Sequence, residues 1–375
     1  MTTSTDTARQ HAAAPASRQA AGVIQLFDTG ALQRRAMGMP LHSPHQHTVH
    51  DPDTDPDIAH SGNDDLDDGE RRRRDWHCKM LQHPQGAGRA LVMPSRGMMN
   101  RIARLLSKAP HFSDMVDWIA RATRLAIMTK TPLRLPPCLL VGPPGIGKTW
   151  LMRQLAEVLG TPALFIAMNT LTDRGSALTG LGPGWKSAGP GKIARQLIDG
   201  SAASPIVLLD EIDKISPLNP AETPVECLHT LLEPENSRAF IDEFVDVPID
   251  ASHILWFASA NDVSALPASI LDRFLVFHIN VDDMHRRQIA REIFATANAD
   301  FAYRFSLAKQ DLFEAVLDLT PRRATRLWPM AFGFAAEGGR DFVILRDIRA
   351  AKALLERSVA TARPIGFIPS ARASR

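Results

Sequence analysis

The residues Gly142-Pro143-Pro144-Gly145-Ile146-Gly147-Lys148-Thr149 space glycines, a lysine and a hydroxyl as G-x-x-x-x-G-K-[ST]. Glycines in such a loop let the backbone bend so that successive N–H groups turn inward, toward phosphate oxygens. A helix that starts at the end of the loop adds the partial positive charge of its first turn. Lys148 is then expected to bridge the β- and γ-phosphates of a nucleoside triphosphate, and Thr149 to offer its hydroxyl to Mg²⁺. Trp150 closes the stretch expected at the nucleotide. Farther along, the apolar run Ile206-Val207-Leu208-Leu209 ends in Asp210 and Glu211. Two carboxylates at the carboxyl end of a buried strand stand in the crevice above a sheet, beside such a loop. Asp210 is expected in the Mg²⁺ shell. Glu211 is expected to orient and deprotonate an attacking water, the positioning that phosphoryl transfer requires.

These side chains meet only if the chain folds as a parallel sheet. Short apolar runs at 138–141, 164–168, 206–210, 253–258 and 274–279 read as strands. They alternate with helical apolar spacing over 147–159, 191–198 and 225–232. That alternation predicts a five-stranded parallel sheet with helices on both faces. Helical spacing at 102–106 and 115–127 precedes it, and only helical patterns follow residue 281, at 284–297, 310–319, 324–335 and 345–360. The expected organisation is a disordered low-complexity tail over 1–75, an α/β domain with leading helices over 76–281, a small all-α lid domain over 282–361, and a flexible basic tail over 362–375.

The combination of GPPGIGKT with LLDEID resembles the AAA+ ATPases. This resemblance implies a P-loop NTPase fold with an all-α lid, and ATP with Mg²⁺ as cofactors. Trp256-Phe257-Ala258-Ser259-Ala260-Asn261 resembles the sensor-1 strand, which implies that Asn261 helps to position the water. Leu271-Asp272-Arg273-Phe274 resembles the segment that presents an arginine finger, with Phe274 standing where Met is usual. Thr320-Pro321-Arg322-Arg323-Ala324-Thr325-Arg326 resembles a sensor-2 motif like that of the bacterial branch-migration motor. It implies Arg322 as the sensor, with Arg323 as the alternative. LLDEIDKIS at 208–216, LHTLLEPENS at 228–237, Phe240-Ile241-Asp242, DVPID at 246–250 and Pro190-Gly191-Lys192-Ile193 are similar to the ATPase module of the Lon protease family. That likeness runs over about 139–279, more weakly over the lid.

The resemblance carries further expectations. An arginine finger acts on a neighbour's ATP, so Arg273 implies a homo-oligomer, a hexameric ring with shared sites. The Lon family places a pore-loop aromatic five residues before Pro190, which is Trp185, followed by Lys186. Trp185 lies in the glycine-rich run Gly180-Leu181-Gly182-Pro183-Gly184-Trp185-Lys186, which suits a paddle gripping a protein substrate better than a core position. The Lon protease domain, with its Ser–Lys dyad, has no room after Ala360, so no proteolysis by this chain is expected. The expected activity is an ATP hydrolase that remodels or unfolds proteins. A branch-migration-type nucleic-acid motor and a non-translocating, ATP-gated assembly factor are the competing classes.

Composition limits the alternatives. The chain has 375 residues and a net charge of +2, which argues against coating nucleic acid by charge alone. Three widely spaced cysteines (Cys78, Cys138, Cys227) exclude a disulfide scaffold and a four-thiolate zinc site. No apolar run approaches the length of a membrane span, and the amino terminus lacks a secretory pattern, so a cytoplasmic protein without membrane contact is expected. His42, His45, His47, His50 and His60 lie among aspartates without metal-site spacing and read as a solvated polar tail. Arg71, Arg72, Arg73 and Arg74 are expected to pair with the aspartates before them. The short apolar island 21–27 reads as a docking segment. Asp213 with Lys214 is read either as an intersubunit contact or as a solvated pair, and Ile365-Gly366-Phe367 as a chance tripeptide.

Overall fold

The strands of the central sheet are apolar on both faces, as a parallel sheet covered by helices on both sides demands. The computed structural model describes residues 22–39, 67–171, 175–215, 225–264 and 266–360. Its five parallel strands are β1 (Cys138–Val141), β2 (Ala163–Ala167), β3 (Ile206–Asp210), β4 (Leu255–Ala260) and β5 (Leu275–His278), in the order β2-β3-β4-β1-β5. Alternation along each strand sends Leu139, Val141, Val207, Leu209, Trp256 and Ala258 into one core. Cys138, Leu140, Ile206, Leu208, Leu255 and Phe257 enter the other. Burial pushes the Cys138 thiol up to about 12, so it behaves as a small apolar side chain.

The numbered helices are α1 (Thr29–Ala36), α2 (Asp68–Leu81), α3 (Arg96–Lys108), α4 (Ser113–Thr129), α5 (Lys148–Leu159), α6 (Lys192–Ile198), α7 (Asp283–Ala299), α8 (Pro321–Glu337) and α9 (Leu345–Ala360). Helices α7 to α9 form the all-helical carboxyl-terminal region, centred on Trp328. Its ring meets Phe294 edge-on at 4.9 Å and lies 5.9 Å from Phe313. No helix among the described residues is long and apolar enough to cross a membrane.

The tail expected over 1–75 contains ordered structure: a strand Val23–Gln25 pairs antiparallel with Gly88–Ala90, α1 follows, and α2 starts at Asp68. The physical reason is the apolar island, whose Ile24, Leu26 and Phe27 are buried in the first core. The arginine run sits in α2, where Arg71 and Arg73 pair with Asp68 and Glu70 while Arg73 also reaches across to Glu243 and Phe244. Strand bounds differ as well. β4 starts at Leu255 because Asp250 closes a turn over Ser252, accepting from its N–H and hydroxyl. β2 lies one residue earlier than expected, and β5 is shorter at both ends. The helix expected over 310–319 stops at Glu314, because a turn must deliver the chain to Thr320, the cap of α8. Residues 1–21 and 40–66, the five-histidine segment, Ile365-Gly366-Phe367 and the tail over 362–375 lie outside the described residues.

Candidate functional site

Strand register brings the candidate residues together. β4 lies between β1 and β3, with Val141 level with Ala260 and Leu209 level with Ala258. The ends of β1, β3 and β4 therefore present Gly142, Asp210, Ser259 and Asn261 on one edge. Gly142 N–H donates to Ala260 O at 3.2 Å, which fixes where the phosphate loop leaves the sheet. Within that loop Gly145 and Gly147 have φ of 82° and 97°, conformations that a side chain would strain. α5 then begins at Lys148 with no side chain bonded to its first N–H groups, the arrangement an anion can complete.

Lys148 is buried and donates from Nζ to Gly142 O (2.6 Å), Pro143 O (3.1 Å) and Asn261 Oδ1 (3.0 Å). Burial lowers its pKa, while Asp210, Asp213 and Glu211 pull the other way. Thr149 Oγ1 donates to Asp210 Oδ2 at 3.0 Å. Ser259 Oγ donates to Asp210 Oδ1 and accepts from Glu211 N–H at 3.0 Å, so one hydroxyl orients both carboxylate residues. Glu211 has φ of 56°, a left-handed conformation that is rare for such a side chain and clusters at functional sites. Its Oε2 accepts from Asn169 Nδ2 at 2.7 Å.

The donor set suits Mg²⁺. Thr149 and Asp210 offer hard oxygens side by side, and Mg²⁺ commonly binds through one or two protein ligands plus phosphates and waters.

A cleft of about 610 Å³ runs between the loop and the helical region, walled by Ile146, Ile279, Val281, Ile289, Ile293 and Leu319. Trp150 is 42% exposed and outside that lining. The start of α8 approaches the loop: a Cβ on Gly145 would lie 3.7 Å from both Thr320 and Pro321. Arg322 is exposed in that first turn and Arg323 is half-buried. Arg273 bonds Glu233 through Nη2 and Ser269 O through Nη1. Trp185, 66% exposed, and Lys186 lie at the tip of a loop closed by mutual backbone bonds between Leu181 and Gly189. Asp213 is neither solvated nor free, since its nearly inaccessible carboxylate pairs with Lys214 at 3.1 Å.

Sequence reasoning passed over Asn169, Ser259 and His111. His111 Nε2 lies 3.1 Å from Ile146 O of the loop. Its pKa is lowered by burial, and its ring stands 6.1 Å from that of His285 on α7.

Residues 138–281 match the ATPase family associated with various cellular activities (AAA). The chain carries an AAA domain. That domain resembles the ATPase module of Lon proteases. The chain is 34% identical over 145 residues to the Lon protease of Amoebophilus asiaticus, covering 39% of this chain and 17% of that protein. It is 32% identical over 166 residues to that of Mycoplasma mycoides subsp. mycoides, covering 43% and 21%. It is 34% identical over 142 residues to the mitochondrial Lon protease homolog of Yarrowia lipolytica, covering 38% and 12%. The chain thus spans about a fifth or less of the length of these relatives. Among solved structures, the Thermotoga maritima RuvB Holliday junction branch migration motor is similar at TM-score 0.45 and 19% identity, over 65% of this chain and 69% of that one.

Proposed function

We propose that the chain is a Mg²⁺-dependent ATP hydrolase that works at the subunit interfaces of a homo-oligomeric ring and uses the reaction to remodel or unfold a protein substrate. The observation that carries this reading is the convergence of Lys148, Thr149, Asp210, Glu211 and Asn261 at the carboxyl edge of three adjacent strands. The loop N–H groups of residues 145–149 would line the triphosphate, and the Lys148 ammonium would neutralise the β- and γ-oxygens. Mg²⁺ held by Thr149 and Asp210 would supply charge neutralisation. The apolar cleft suits a nucleobase.

Glu211 takes a proton from water as the water oxygen attacks the γ-phosphorus. The bond from that phosphorus to the bridging oxygen breaks, and ADP leaves with the electron pair. Before this, Glu211 must exchange its bond to Asn169 for one to water. Asn261, already bonded to Lys148, is placed to orient that water. Arg273 is the finger offered to a neighbour's γ-phosphate, and Arg322 is the lid residue that reads the same group. Trp185 and Lys186 grip the polypeptide. A cytoplasmic setting suits three widely spaced cysteines.

The Glu211→Gln variant should bind a fluorescent ATP analogue as the wild type does, while phosphate release falls by about 10²- to 10⁴-fold. Lys148→Ala should lose nucleotide binding. Full hydrolysis by Glu211→Gln overturns the catalytic assignment. Stimulation of hydrolysis by unfolded casein but not by duplex DNA supports a protein substrate, and the reverse pattern overturns it.

A further inference from the structure

Helix α2 lies outside the AAA-matched residues, yet it touches the loop that carries Trp185. Its middle is firmly anchored. Arg73 donates from Nε to Phe244 O at 2.8 Å and from Nη2 to Glu243 O at 2.9 Å. His77 is buried, its pKa lowered mainly by that burial, so the neutral ring donates from Nε2 to Val245 O at 2.7 Å. α1 adds Arg35, which pairs with Asp246 at 2.7 Å.

The amino-terminal end of α2 has a lighter hold. Arg72 reaches Lys186 O from Nη1 and Nη2 at 3.4 Å each, the outer limit of useful hydrogen bonding. Gly69 is pressed against the loop backbone: a Cβ there would fall 1.9 Å from Pro183 O and 2.7 Å from its carbonyl carbon. Gly in the first turn of a helix costs stability relative to Ala, so its place is explained by this approach. The acceptors at the tip are main-chain carbonyls, which leaves the Trp185 side chain exposed.

We propose that α2 is a latch on the Trp185 loop: anchored on Glu243–Val245 by Arg73 and His77, it holds the loop through Gly69 and Arg72, and the catch must open for the loop to travel. This rests on the reading of Trp185 as the grip. A firm pivot with a weak catch is the arrangement of a releasable contact; a permanent brace would need strong bonds at both ends.

Gly69→Ala tests it in the full chain. The methyl group favours the helix but cannot coexist with Pro183 in its present position. Arg72→Ala removes the two bonds without adding bulk. In both variants hydrogen exchange at the amides of 184–188 should accelerate about tenfold or more, while 240–246 keep their protection. Basal ATP hydrolysis should be unchanged, and the rate with unfolded β-casein should rise about two- to fivefold, in keeping with the loss of weak hydrogen bonds. Unchanged exchange at 184–188 in both variants overturns the latch. So does faster exchange with an unchanged casein-stimulated rate when Trp185→Ala abolishes that stimulation. If Trp185→Ala leaves stimulation intact, the grip reading fails, and the exchange result alone decides whether α2 holds the loop.

Discussion

Glu211, the base of the proposed reaction, is bonded to Asn169. Its carboxylate Oε2 accepts from Asn169 at 2.7 Å, which ties it to the segment after β2. Such a bond at an exposed site is worth about 0.5–1.5 kcal/mol, enough to bias the side chain until something competes for it. Asn169→Ala should therefore raise basal phosphate release at saturating ATP by about three- to tenfold and shrink the further gain from casein. A fall of a decade would mean that Asn169 orients the base for the reaction. The phosphate loop and the acidic pair were legible because their roles follow from contiguous spacing. Asn169 and Ser259 were not, because their roles come from register: Ala167 lies beside Asp210, and Ser259 faces the end of β3.

At the scale of elements, the buried Asp242 joins two loops. Its Oδ1 accepts from Phe244 N–H (2.9 Å) and Val245 N–H (3.0 Å), and its Oδ2 from Gly191 N–H (2.8 Å) at the root of the Trp185 loop. Burial raises its pKa from 3.8 to about 6, against the pull of those three donors. The sign follows from this. The folded state favours the neutral acid, so the contribution of Asp242 to stability is greatest below the ordinary carboxylate range and is lost as pH rises through 6. Between pH 7 and pH 4.5 the wild type should gain about 2 kcal/mol relative to Asp242→Asn, measured as the double difference in urea unfolding free energy. Equal slopes would show that Asp242 stays ionised throughout. The segment Phe240-Ile241-Asp242 stood out in the sequence only as part of a likeness. Its tie to Gly191 bridges residues far apart in the chain, which no local periodicity reports. The same limit explains the amino-terminal strand and α1: the island of Ile24, Leu26 and Phe27 was visible, but the surface that buries it was not.

At the scale of the molecule, the phosphate loop and the helical region enclose one cleft, while Arg273 is bonded to Glu233 and Ser269 and not to the loop of its own chain. A site completed by a neighbour makes a prediction that no single-chain mechanism shares. A Glu211→Gln chain would supply the finger but no base, and an Arg273→Ala chain the base but no finger, so each alone should be inactive. When the two are dissociated, mixed in equal amounts and reassembled, about one interface in four would pair an intact base with an intact finger, and about a quarter of the wild-type ATPase rate should return. Recovery should follow the product of the two mole fractions and peak at equal mixing. If Arg273 serves its own chain, every site in the mixture keeps its defect and no mixing ratio restores activity. Because Glu233 competes for the same guanidinium, adding Glu233→Gln to the Glu211→Gln chain should raise the recovered rate further, as a finger less tightly held at home reaches its neighbour more often.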